Sequence, residues 1–139
     1  MKGLRFHHVG IACRDIAAES AYYRTLGYKR ETATFADPAQ KIRGFFMTNG
    51  AFRIELLEPL VADSPLEFYL QRGIQAYHHA YEARDFSRTI ARLSGAGHRL
   101  VVPPVHAVAF GRKIAFIMLR NMSLIEIIEP RASTKRAVR

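Results

Sequence analysis

A single cysteine, Cys13, stands in a chain of 139 residues. No intrachain disulfide can form, and a cytoplasmic protein is the simplest expectation. No apolar run approaches the ~18 residues that a membrane-crossing helix needs, and the start, MKGLRFHHVG, has no signal-peptide core. Acidic residues are scarce, 12 against 21 Lys and Arg, which gives a formal charge of +9. Four of those cations lie in the stretch 131–139, RASTKRAVR, which lacks apolar periodicity and is expected to be disordered. Without them about +5 remains, thinly spread. No basic run is interleaved with aromatics, and no zinc-finger or RNP-like motif occurs, so no nucleic-acid partner is expected. An anionic small molecule, or solubility alone, accounts for the surplus.

What is present is a duplication. HHVGIACRD begins at residue 7 and HHAYEARD at residue 78; IELLEP begins at 54 and IEIIEP at 125. The second histidines, His8 and His79, are 71 residues apart, and so are Glu55 and Glu126. LGYKR (26–30) echoes AGHRL (96–100), and KIRGFFM (41–47) echoes RKIAFIM (112–118). A unit of about 70 residues made twice is too long for a solenoid repeat.

Within each copy the pattern reads strand, helix, then three strands. FHHVGIAC alternates apolar residues and runs up to Asp15, a good N-cap; IAAESAYYRTL then reads as a helix stopped by Gly27. YKRETATF, KIRGFFMT and FRIELLE read as strands separated by turn-rich ADPAQ and NGA. The second copy gives AYHHAYEA, a helix from Asp85 to about Leu93, then HRLVVPPV, KIAFIML and SLIEIIE. Between the copies, SPLEFYLQRG reads as one extra helix, with capping-box spacing at Ser64 and Glu67, Pro65 at its first position and Gly73 closing it. The expected fold is α+β, tandem βαβββ modules forming a curled mixed sheet around a metal-binding cavity. The first module spans 5–60, the linker helix 61–75 and the second module 76–130, together a single domain.

Alternation along the strands decides which side chains share a face. His8 shares its face with Phe6, Gly10 and Ala12, which leaves room in front of it, while Val9, Ile11 and Cys13 fit under the helix. His79 shares a face with Tyr81 and Ala83. Glu55 lies between Ile54 and Leu56, and Glu126 between Ile125 and Ile127, so each carboxylate sits where a charge is costly unless compensated. Pseudo-twofold packing of the modules would bring His8, Glu55, His79 and Glu126 together. Two imidazoles and two carboxylates suit a borderline divalent cation (Zn, Ni, Co or Mn) and leave two octahedral positions open. His7 and His78, on the opposite faces, read as structural, and Glu58 and Glu129 as solvated. Arg53, on the face of Glu55, and Arg112 and Lys113, beside Gly111, could grip a phosphate or carboxylate.

At these residues the chain resembles the vicinal oxygen chelate superfamily, which includes glyoxalase I, methylmalonyl-CoA epimerase and the bleomycin- and fosfomycin-resistance proteins. The resemblance runs from about residue 5 to 130. It is closest to the epimerase branch, through HHVGIACRD, RIELLEPL, DSPLEFYLQRG, YHHAYEARD, GRKIAF and LIEIIE. It places the family's metal ligands on His8, Glu55, His79 and Glu126, and implies a metal-dependent isomerase or lyase. Such an enzyme removes a proton α to a carbonyl, epimerase-like on an acyl-CoA or other acyl-thioester, with Glu126 or Glu55 as the base and Tyr81, Arg53, Arg112 and Lys113 around the substrate. Glyoxalase-like or antibiotic-resistance glutathione chemistry, and a non-catalytic drug-binding protein, are the alternatives it offers. A homodimer is expected, with the cavity closed either within one chain or across the pair. The epimerase branch can carry a further carboxylate on the third strand; here Gly44 stands near that place, and no acid occurs between Asp37 and Glu55.

Overall fold

The computed structural model describes residues 3–132; the expected disorder of the basic tail therefore falls, for residues 133–139, outside the described residues. In the first module β1 (Leu4–Ala12) leads to α1 (Ile16–Thr25), then β2 (Lys29–Arg30), β3 (Phe35–Asp37), β4 (Ile42–Asn49) and β5 (Phe52–Pro59). A short α2 (Leu66–Leu70) links it to β6 (Ala76–Ala83), α3 (Phe86–Gly95), β7 (Arg99–Ala107), β8 (Arg112–Met118) and β9 (Leu124–Ile128). The strand expected over YKRETATF is split into β2 and β3, both paired with β4.

Local chemistry explains the boundaries. Asp15 and Asp85 accept backbone N–H groups at the starts of α1 and α3, satisfying donors that the first helical turn leaves free. After each helix the chain turns through Gly27 or Gly97 at positive φ, which a side chain would strain. The linker helix departs from the expected capping box. Ser64 Oγ accepts the Leu66 N–H, but Glu67 turns away from the helix start to pair with Arg14. Pro103 and Pro104 lie in β7, whose position at the sheet edge tolerates missing donors.

All strands join one mixed sheet in the order β2–β4–β5–β1–β6–β9–β8–β7, with β3 also on β4. β1 is parallel to β5 and β6 is parallel to β9, while the central β1–β6 contact is antiparallel. The order reads the same outward from that contact, so the pseudo-twofold axis passes between β1 and β6. On the convex face, Ile11, Met47, Ile54 and Leu56 pack under α1, and Ala115, Ile117 and Ile127 pack under α3. The concave face carries Leu57 and Ile42 beneath α2 at one end and Ile114 and Ile128 at the other. Its two wings curl toward each other. Buried Asp37, at the end of β3, accepts the Val108 N–H from the turn between β7 and β8, and Phe46 meets Phe110 with ring centroids 5.6 Å apart. Among the described residues, no helix is long and apolar enough to cross a membrane.

Met47 has no solvent exposure in the cluster under α1. Met47→Ala should cost about 2–5 kcal/mol of stability through the cavity it leaves. Phe52→Ala, at a site 69% exposed, should stay within about 0.5 kcal/mol of the parent. Urea denaturation of both variants checks the contrast.

Candidate metal centre

The four central strands each send one polar side chain to the middle of the concave face: Glu55 from β5, His8 from β1, His78 from β6 and Glu126 from β9. All four are at most 4% exposed. Each imidazole Nε2 lies 3.0 to 3.6 Å from an oxygen of each glutamate. The two Nε2 atoms are 3.1 Å apart, and one donor atom from each residue falls within a 4.8 Å cluster.

The second histidine is His78, whereas the sequence spacing pointed to His79. The registers supply the reason. Gly10 pairs with His78 and His8 with Ala80 across β1 and β6, so these four share the concave face. His79 pairs with Val9, lies on the other face and is exposed. The two copies are related by 70 residues through Asp15 and Asp85, Gly27 and Gly97, and Phe46 and Phe116, which pair with Glu55 and Glu126. The shift to 71 comes at the following hairpin. Four residues separate paired Thr48 and Arg53 in the first copy, and five separate Met118 and Leu124 in the second. A uniform 71 therefore moved the histidine by one place, and in a strand one place is the opposite face. The capping aspartates and the glycines after the helices carried the signal for 70.

Tyr81, expected beside the substrate because it shares the face of His79, goes with His79 to the other side and packs edge-on against Phe6 at 5.7 Å. Gly10 makes space for His78: a methyl group there would lie 2.0 Å from its ring. Phe46 stands edge-on to His8 at 5.1 Å, and its counterpart Phe116 edge-on to His78 at 5.4 Å. Phe110, from the 108–111 turn, stacks on His8 at 5.9 Å.

Arg53 and Arg112 both line a cavity of about 360 Å³ at the edge of this aromatic cover, together with His7, Glu31, Phe46 and Phe110. Each already has an anionic partner. Arg53 binds Glu31 at 3.1 Å, and Arg112 donates to Glu82 at 2.8 Å and to the Glu129 carbonyl. Lys113 is exposed and lines neither this cavity nor a larger surface groove of about 1280 Å³ beside the start of α3. That groove contains none of the four central residues. Glu58, expected to be merely solvated, accepts the Ile16 N–H and pairs with Arg43; Glu129 accepts the Lys113 N–H.

Within the cluster the carboxylates and imidazoles shift one another's proton affinity. Burial pushes the His8 imidazole down, but Glu55 and Glu126 outweigh it and lift it to about 9. Burial likewise raises the Glu126 carboxyl, yet His78 and His8 hold it below the usual range. Burial, His8 and Arg53 press His7 down to about 3, so it is neutral. His78 Nδ1 and Glu126 Oε2 are buried with no hydrogen-bond partner. Nitrogen and oxygen donors lie about 2.0–2.2 Å from a shared cation, which sets them roughly 3 Å or slightly more apart. The separations here match, and Glu126 Oε2, 3.0 Å from His78 Nε2 but outside hydrogen-bond geometry, fits the same group.

The sequence profile of the Glyoxalase/Bleomycin resistance protein/Dioxygenase superfamily matches residues 7–116. The uncharacterized protein YqjC of Bacillus subtilis is 36% identical over 134 residues, 91% of this chain and 93% of that one. Ethylmalonyl-CoA/methylmalonyl-CoA epimerase of Cereibacter sphaeroides is 32% identical over 88% of this chain and 96% of its own length. A Streptomyces coelicolor methylmalonyl-CoA epimerase variant, solved in complex with 2-nitronate-propionyl-CoA, superposes with a TM-score of 0.82 at 26% identity, covering 94% of this chain and 97% of that one.

Without metal, His8 binds its proton more tightly in the folded state, at about 9, than at its ordinary 6.5. That linkage stabilises the fold fully below the ordinary value and is lost as pH rises through the folded one. The melting temperature of chelator-treated protein should therefore fall between pH 6.5 and pH 9, and His8→Asn should flatten that slope. A flat profile in the parent protein would contradict the ion pairing.

Proposed function

The chain belongs to the Glyoxalase/Bleomycin resistance protein/Dioxygenase superfamily, and from that premise we propose a divalent-metal-dependent isomerase or lyase. It removes a proton α to the carbonyl of an acyl-thioester, as an acyl-CoA epimerase does. The observation that carries the reading is the convergence of His8, Glu55, His78 and Glu126, buried and within ligand spacing of one another. These four residues would hold the ion, with His78 in the place first assigned to His79. Zinc, nickel, cobalt and manganese all accept such a donor set. When bound, the ion supplies Lewis-acid polarisation of the carbonyl and offsets the charge that develops on its oxygen.

The remaining chemistry falls to the chain. Glu126 is the first choice for base and Glu55 the second, because they are the carboxylates that converge on the centre. Phe46, Phe110 and Phe116 wall the two imidazoles and keep bulk water away, which strengthens every charge interaction within. A substrate would approach through the cavity lined by His7, Arg53 and Phe110, which requires Phe110 to move aside. A thioester carrying phosphates or a carboxylate suits the net positive charge of the protein.

One local feature separates the site from a two-base epimerase with a carboxylate on the third strand. Gly44 occupies that region of β4, and a methyl there would lie 2.3 Å from the Leu56 carbonyl oxygen. Proton removal and return are left to Glu126 and Glu55. That same economy favours a second reading, lyase chemistry on a glutathione hemithioacetal, in which one carboxylate can both take and return the proton.

Metal analysis of purified protein should find about one ion per chain in the parent and in His79→Ala, and a large loss in His78→Ala. Equal metal in both variants would sink the ligand assignment. Deuterium incorporation at the α carbon, followed by NMR in deuterated water, should occur with methylmalonyl-CoA and be slower with the methylglyoxal–glutathione adduct; the reverse order supports the lyase. Glu126→Gln should lower the rate by roughly 10²–10⁴-fold, the usual contribution of a general base.

A further inference from the structure

His7 and Tyr77 occupy equivalent places in the two copies, each directly before a central histidine. Each is also the extra residue where the β1–β6 register slips, between Phe6 and His8 on one side and between Gly10 and Ile11 on the other. Both rings stand edge-on to the following imidazole, at 5.0 Å for His7 and His8 and 4.5 Å for Tyr77 and His78. The pair differs in one chemical respect. His7 Nδ1 lies 2.7 Å from His8 Nδ1, whereas the buried His78 Nδ1 has no partner.

We propose that His7 is a positioning residue that locks His8 in the tautomer able to bind a metal, making the two histidine ligands inequivalent. The inference rests on the metal reading above and goes beyond it. Two ring nitrogens at 2.7 Å share one hydrogen, so one donates and the other accepts. His8 Nε2 faces Glu55 and Glu126, where its lone pair must be free for an ion. The hydrogen then belongs on His8 Nδ1 and points at the acceptor nitrogen of His7. With the opposite arrangement His8 Nε2 would carry the hydrogen and could not ligate. Second ring nitrogens of metal-bound histidines are ordinarily held by a carboxylate, carbonyl or water, and losing that partner typically costs 10–100-fold in affinity or activity. Here the holder is another imidazole. The bulge makes this possible, because adjacent residues of a regular strand point to opposite faces. His7 also lines the 360 Å³ cavity, so it couples the ligand to the route by which substrate would arrive.

The test compares parent protein, His7→Ala and His7→Asn, whose side-chain oxygen can accept the same hydrogen. Chelator competition with cobalt(II) should show His7→Ala binding roughly 10–100-fold more weakly, with His7→Asn recovering most of the loss. In proton NMR of the cobalt-loaded proteins, the exchangeable, paramagnetically shifted His8 Nδ1–H signal should broaden or vanish in His7→Ala and return in His7→Asn. Parent-like affinity and an unchanged His8 signal in His7→Ala would overturn the proposal. So would His7→Asn behaving like His7→Ala with folding intact, since that would assign the effect to packing. A parent protein that binds no cobalt defeats the metal centre itself, and with it the role of His7. That outcome is distinct from metal binding that is indifferent to His7.

Discussion

Two carboxylates buried within reach of two imidazoles govern the centre of this molecule. An uncompensated carboxylate in such a place would take up a proton or disrupt the sheet. The neighbouring structure is arranged around that constraint. Gly10 lies across from His78 and Ala80 across from His8, so the two small residues of the β1–β6 contact face the two rings. Phe46 and Phe116 stand beside those rings, one from each copy. The apolar packing that makes the sheet rigid lies mostly elsewhere, under α1 and α3 on the convex face. Well-packed apolar residues would hold the same strands together at least as well as the polar cluster does.

Duplication explains the architecture, and departures from it explain the chemistry. Each copy contributes one histidine, one glutamate and one phenylalanine to the centre. The longer second hairpin, the exchange of histidine for tyrosine at the bulge and the placement of Phe110 over His8 alone all break the symmetry. Asp37 adds a further tie: by holding Val108 it fastens the turn that carries Phe110 to the opposite wing of the sheet. The aromatic cover and the mouth cavity consequently depend on both copies.

Much of this was legible in the residues. The strand and helix order, the linker helix and the two capping aspartates followed from periodicity and turn chemistry, and the strand AYHHAYEA matches β6 at both ends. His8, Glu55 and Glu126 were found because a polar residue on an apolar strand, repeated at matching spacing, is a strong signal. His79 and Tyr81 failed together, for one reason. The repeat carries a single-residue insertion, and the period-two geometry of a strand converts one residue into the opposite face. Arg112 and Arg53 line the cavity beside the aromatic cover, and their pairing with Glu82 and Glu31 joins residues far apart in the chain.

The sequence by itself determined the two-copy sheet, its helices and three of the four central side chains, because those depend on local periodicity and on spacing within a module. Only the tertiary structure decided which histidine of the second HH pair turns inward. That choice is made by cross-strand register and two bulges at the β1–β6 contact, where residues about 70 positions apart meet.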